Sequence, residues 1–183
     1  MRNYNNKSNR KLPKFLKKSE VEDLLENALN EKYEHYLMIL TIWRSGIRVS
    51  ELTDLTPADI DLESNRIEVR EGKGDKDRVI PLHPELKREI KSYMDIKELK
   101  TDDKIFDYSP RWIQKIIKKY APEGKNWIHP HTLRHSFAVH VIDSGLDSRK
   151  LQKMLGHSSL QTTEIYLDLT ARQVVKDFLD KVD

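Results

Sequence analysis

Residues 129–145, HPHTLRHSFAVHVIDSG, decide how this chain is read. Pro130 suits the first turn of a helix, where its missing N–H costs nothing. A helix is therefore expected over 131–143, ended by Gly145, a residue suited to the left-handed position beyond a helix. His131 and Arg134 stand at i, i+3 and share one face. His131 falls in the first turn, where the helix dipole disfavours an imidazolium, so its neutral ring can accept a proton. Arg134 can grip a phosphate through two parallel hydrogen bonds. Taken alone, a histidine and an arginine on a solvated helix face give the same pattern.

The segments on either side are mostly helical. Ser148 can cap a helix running to Gly156, and Ser158 with Gln161 forms a capping-box pattern for a short helix carrying Tyr166. Thr170 with Gln173 repeats that pattern for a last helix. Towards the N-terminus, Ser109-Pro110 opens a helix over 110–120, and another is expected over 84–98. RIEVRE and RVIPL alternate at period two around GKGDKD, which reads as a β-hairpin, and residues 56–62 can add a short third strand. Before these come a short helix over 50–55, an apolar helix over 32–44 stopped near Gly46, and a helix from Ser19 to Asn30 with Glu22 completing a capping box. The fold class expected is mainly α with a small antiparallel β-sheet, an α+β domain.

Composition bounds what such a domain does. The chain has 183 residues, enough for one domain with a real core, and 34% of them are charged. No apolar run is long enough to span a membrane, and the basic start lacks the apolar segment of a signal peptide. There is no cysteine, which excludes disulfides, thiolate zinc sites and cysteine nucleophiles, and fits a cytoplasmic protein. Residues 1–18 hold seven cations and no acid, so the remainder stands at −4 within the total of +3. That leader reads as a mobile basic arm or linker attracted to polyanions, or equally as a solubilising tail. Any DNA-binding charge in residues 19–183 must be concentrated on one face.

Several chemistries fail on spacing. HTLRH has two histidines at i, i+4, but Thr132 stands where a zincin carries glutamate. His129, His140 and His157 remain as third-ligand candidates for that pair. GKGDK is neither a Walker A loop nor a dinucleotide fingerprint, and there is no GxSxG elbow. What remains suits phosphate. Arg48 lies between two helices with Glu51 close behind, Lys73 sits in the hairpin turn, and His157 follows Gly156. Each is weak singly: a surface ion pair, turn chemistry or a loop histidine accounts for it.

Their order along the chain is specific. SGIRVSELTDLTPADID, GKGDKDRVIPL, HPHTLRHSFAVHVIDSG and LGHSSLQTTEIY succeed one another. This succession closely resembles the catalytic domain of the tyrosine recombinases, the phage-integrase family and its Xer branch, from about Leu12 to the C-terminus. The resemblance implies six active-site residues. Arg48 matches the first arginine, with isoleucine before it in place of the usual leucine. Lys73 matches the hairpin lysine, with Lys76 near enough to leave that choice open. His131 and Arg134 match the HxxR pair, His157 the LGH histidine, and Tyr166 the nucleophile, with Glu51 supporting Arg48.

The reaction so implied is transesterification of a phosphodiester in double-stranded DNA, with no metal and no nucleotide cofactor. Tyr166 would form a 3′-phosphotyrosyl link and free a 5′-hydroxyl, conserving bond energy for rejoining. The family further implies a homo-oligomer, a tetramer acting on two DNA sites, in which the C-terminal helix of one subunit packs on the next. Residues 170–183 have an apolar stripe for this, equally suited to packing on their own core. Residues 19–183 would be the catalytic domain, with only the basic leader where full-length members carry a helical core-binding domain. A type IB topoisomerase-like activity and a DNA-binding regulator without catalysis are the alternatives.

Overall fold

The computed structural model describes residues 13–70, 77–156, 165–167 and 170. Seven helices and one three-stranded sheet are present among these residues, matching the expected fold class. Helix α2 (Tyr33–Ser45) is the centre: Leu37 to Trp43 form an unbroken buried run. A helix that is apolar all round belongs inside a protein, and α2 packs against α1 (Lys18–Leu29), α4 (Pro84–Ile96) and α6 (Pro130–Asp143). It ends at Gly46, which is left-handed at φ 65°. A Cβ there would lie 2.4 Å from the Phe137 ring and 2.9 Å from Leu155, so only glycine lets these elements meet.

After Gly46 come α3 (Val49–Asp54), a single 3-10 turn (Pro57–Asp59) and β1 (Ile60–Asp61). Strands β2 (Arg66–Val69) and β3 (Arg78–Pro81) complete an antiparallel sheet of order β1-β2-β3, with Ile67 opposite both Ile60 and Ile80. The third strand expected over 56–62 thus has only two residues, because the 3-10 turn occupies 57–59. Helix α5 (Pro110–Tyr120) begins at Ser109, whose Oγ accepts from the Trp112 N–H. Helix α7 (Ser148–Leu155) packs against both β3 and α6 and ends at left-handed Gly156, φ 63°.

Two helix starts differ from expectation. Lys17, not Ser19, is the cap residue of α1, and its N–H donates to Glu20 at 2.7 Å. Asp147, not Ser148, caps α7, because its carboxylate accepts from two N–H groups, those of Arg149 and Lys150. A carboxylate also gains from the helix dipole, which a serine hydroxyl does not. The end of the basic leader is packed: Leu16 is buried and its N–H donates to Ser136 Oγ of α6 at 2.7 Å. The rest of the leader, the hairpin tip and the capping patterns at Ser158–Gln161 and Thr170–Gln173 fall wholly or partly outside the described residues.

Candidate active site

The end of α7 organises the site. The last carbonyls of a helix have no partner within it and carry the negative end of the dipole. Here three successive carbonyls each receive a different arginine. Arg78 Nε donates to Met154 O at 2.9 Å, Arg134 Nη2 to Leu155 O at 2.5 Å, and Arg48 Nη2 to Gly156 O at 2.8 Å. Because β3, α6 and the loop before α3 supply one arginine each, the site exists only in the folded chain.

Glu51 is the counter-charge. Its carboxylate accepts from Arg48 Nη1 at 2.8 Å and Arg78 Nη2 at 2.7 Å, and also from the Arg48 backbone N–H at 2.7 Å. Burial raises the Glu51 pKa, but the hydrogen bonds from Arg78 and Arg48 outweigh it and hold the carboxyl below its usual range. Among the described residues, three guanidinium groups stand against this one carboxylate. A cleft of about 460 Å³ beside Arg48 is lined by Glu51, Asp54, Asp59, Glu68 and Asp102 together with Arg48 and Arg70. With five acids against two arginines, that cleft is poorly suited to phosphate.

Arg134 is the most deeply set of these groups, 5% exposed. It donates Nη1 to Gly46 O at 2.5 Å as well as Nη2 to Leu155 O, so two backbone carbonyls fix its plane. Burial first, then the neighbouring Arg48, lower its pKa to about 10, which still leaves it charged at neutral pH. His131, three residues earlier, is exposed in the first turn of α6, with its ring 6.0 Å from that of His129. The two residues thus split: Arg134 turns into the domain and His131 stays at its surface.

Tyr166 lies in the helical segment 165–167 and is 1% exposed. Its hydroxyl is 2.8 Å from His135 Nδ1, the rings inclined at 49°. Burial raises the Tyr166 pKa to about 12, against a lowering by Arg134. Burial also lowers His135 to about 4, with His131 and Arg134 adding to the effect. Both shifts oppose moving the phenolic proton onto this imidazole. The resting pair is a neutral hydrogen bond.

Among the predicted site residues, the structure gathers Arg48, Arg134 and Tyr166 around α6 and the end of α7, with His131 exposed at the start of α6. Lys73, its neighbour Lys76 and His157 lie outside the described residues. Two residues escaped the sequence analysis. Arg78 had a faint signal as the cation ending the hairpin run, and its burial at 8% is unusual for arginine. His135 was weighed only as a zinc ligand. No group of three metal-ligating side chains occurs among the described residues. No described helix is long and apolar enough to cross a membrane.

Comparison with known proteins places this arrangement. The model of the phage integrase family matches residues 14–173. The tyrosine recombinase XerA of Pyrococcus furiosus is 39% identical over 174 residues, covering 89% of this chain and 60% of that protein. A crystal structure of XerA recombinase superposes with a TM-score of 0.79 at 32% identity, covering 92% of this chain and 66% of the other. The XerH site-specific recombinase, in a post-cleavage complex with a palindromic difH substrate, gives 0.75 at 28% identity, covering 91% and 53%. The chain thus spans 60% of the length of the XerA relative.

Proposed function

Because this chain belongs to the phage integrase family, as an Xer-like tyrosine recombinase catalytic domain, we propose that it breaks and rejoins DNA through Tyr166. The observation that carries the reading is the convergence of Arg48 and Arg134 on one helix end beside Tyr166. A phosphodiester gains negative charge on its non-bridging oxygens as a nucleophile adds, and preorganised guanidinium groups stabilise that charge. Tyr166 Oη attacks phosphorus, the bond to the 5′-oxygen breaks, and a 3′-phosphotyrosyl link forms. His131 takes the phenolic proton, which requires Tyr166 to leave His135 first. Lys73 protonates the leaving 5′-oxygen, and His157 adds a donor to the phosphate. Neither a metal nor a nucleotide enters these steps, and the stored phosphoester allows strand exchange without ATP.

Double-stranded DNA is the substrate, and one more surface supports it. Helix α5 exposes Arg111, Lys115 and Lys118 with Trp112, Lys115 standing 5.5 Å over the indole. The helix carries no acidic residue, so this face attracts a phosphate backbone. A tetramer on two DNA sites is the assembly proposed for the complete reaction. Since relatives extend beyond the matched region, this chain alone is expected to hold DNA weakly and to release it near ~0.2 M salt.

The test is a nicked suicide duplex whose cleaved end diffuses away, incubated with protein in excess chelator. A covalent protein–DNA species is expected with wild type and none with Tyr166→Phe. An adduct that persists in the mutant removes Tyr166 as nucleophile, and relaxation of supercoils without recombinant products favours the topoisomerase-like reading.

A further inference from the structure

The phenol that must reach phosphorus is shut inside the protein. At 1% exposure, Tyr166 cannot touch a group as large as a DNA backbone where it stands. The contact that receives its hydroxyl is specific: Nδ1 of His135 at 2.8 Å, on an imidazole that is itself largely buried. His135 follows Arg134 directly in α6, so one helix carries both a phosphate ligand and the side chain that holds the nucleophile. The two side chains point apart, as neighbours on a helix must. Arg134 turns to Gly46 O and Leu155 O, while His135 meets the Tyr166 ring.

We propose that His135 is a positioning residue that docks Tyr166 through its hydroxyl in the DNA-free protein and sets how readily the phenol is released to react. This rests on Tyr166 being the nucleophile. His135 touches neither phosphate nor leaving group. Its neutral ring adds no charge near Arg134, so the dock does not compete with the arginines for an incoming anion. Proximity supplies the coupling: the helical segment bearing Tyr166 and the end of α7 bearing two of the arginine contacts are separated only by residues 157–164, a stretch that includes His157.

The dock makes two separable predictions. His135→Phe keeps an aromatic ring but removes the hydrogen-bonding nitrogen. It is expected to speed covalent adduct formation on the suicide duplex by roughly two- to tenfold, the worth of one net hydrogen bond, with DNA affinity unchanged. His135→Asn places an amide near the Nδ1 position and is expected to restore the wild-type rate. The second readout needs no DNA: nitration of tyrosines by tetranitromethane, mapped by mass spectrometry. Tyr166 is expected to be protected in wild type and His135→Asn, and modified in His135→Phe. If His135→Phe slows adduct formation, or leaves Tyr166 as protected as in wild type, the dock is wrong. Should wild type itself form no Tyr166 adduct while nitration follows this order, the dock stands and the proposed reaction fails.

Discussion

Two carboxylates of this domain are both half-hidden and both hydrogen-bonded, yet they end in opposite electrostatic states. Glu34, at the start of α2, accepts from Tyr93 at 2.5 Å and Tyr108 at 2.8 Å, with Lys32 Nζ 3.3 Å away. One negative charge meets two neutral phenols and one ammonium, so that cluster is close to neutral. Burial raises the Glu34 pKa, but these hydrogen bonds bring it below the ordinary value. Glu51 does the same for two guanidinium groups, with Arg134 beside them, so cations outnumber acids there among the described residues. The first cluster is complete as it stands and holds α2, α4 and the segment before α5 together. Among the described residues the second has more cations than acids, which suits it to an anion and sets it apart from a structural node.

The sharpest way to break this contrast is to remove the buried cation. Arg134→Ala is expected to lower the rate of adduct formation by roughly 10²–10³-fold, as loss of one preorganised donor does. It also leaves Gly46 O and Leu155 O without their donor, so thermal melting must be measured in parallel. Glu34→Gln is the matched control: about 1 kcal/mol less stable, with adduct formation per folded molecule unchanged. If both variants lose activity equally, the surplus-charge argument fails.

Glu51→Gln comes next. It takes the shared carboxylate charge from half-buried Arg48 and buried Arg78. A stability loss of ~3 kcal/mol is expected in denaturant titration. Because the folded carboxyl has a lowered pKa, its contribution is present above the unfolded value of 4.5 and is lost as pH falls through the folded one. Wild type should therefore lose more stability than Glu51→Gln over that acid range.

Gly46→Ala tests the junction that brings Arg134 to α7. A left-handed alanine and the Phe137 collision together are expected to cost about 2–3 kcal/mol, read as a lowered melting temperature. Smaller still is the acid sensitivity of His135. Its folded pKa, about 4, lies below the unfolded 6.5, so the native state binds fewer protons and stability falls as pH drops from 6.5 towards 4. Burial is the main cause, and His131, Arg134 and His129 near that ring work in the same direction. His135→Asn is expected to flatten this part of the curve by ~1–3 kcal/mol.

Much of this was legible in residue order. Gly46 and Gly156 stop α2 and α7 as a left-handed glycine should, and Ser109-Pro110 opens α5. Arg48, Arg134 and Tyr166 are implied by the resemblance of their motifs to the tyrosine recombinases, and the fold brings them near one another. What escaped depends on tertiary contact. Nothing local to Arg78 says that it will be buried against the end of a helix 76 residues away. His135 looked like half of a metal pair because its partner is a phenol 31 residues on. The capping misreadings were local: at α7 Asp147 accepts from two backbone donors in place of Ser148, and at α1 the Lys17 N–H is taken up by Glu20 while Ser19 lies inside the helix.

The most direct measurement of the central claim is the chemical identity of the covalent bond. The adduct from the suicide duplex, digested with protease and nuclease, should give one modified peptide whose phosphate sits on Tyr166 and joins the 3′ end of the cleaved strand. The released strand should carry a 5′-hydroxyl. A phosphate on any other side chain, or one joined to the 5′ end, would contradict the account.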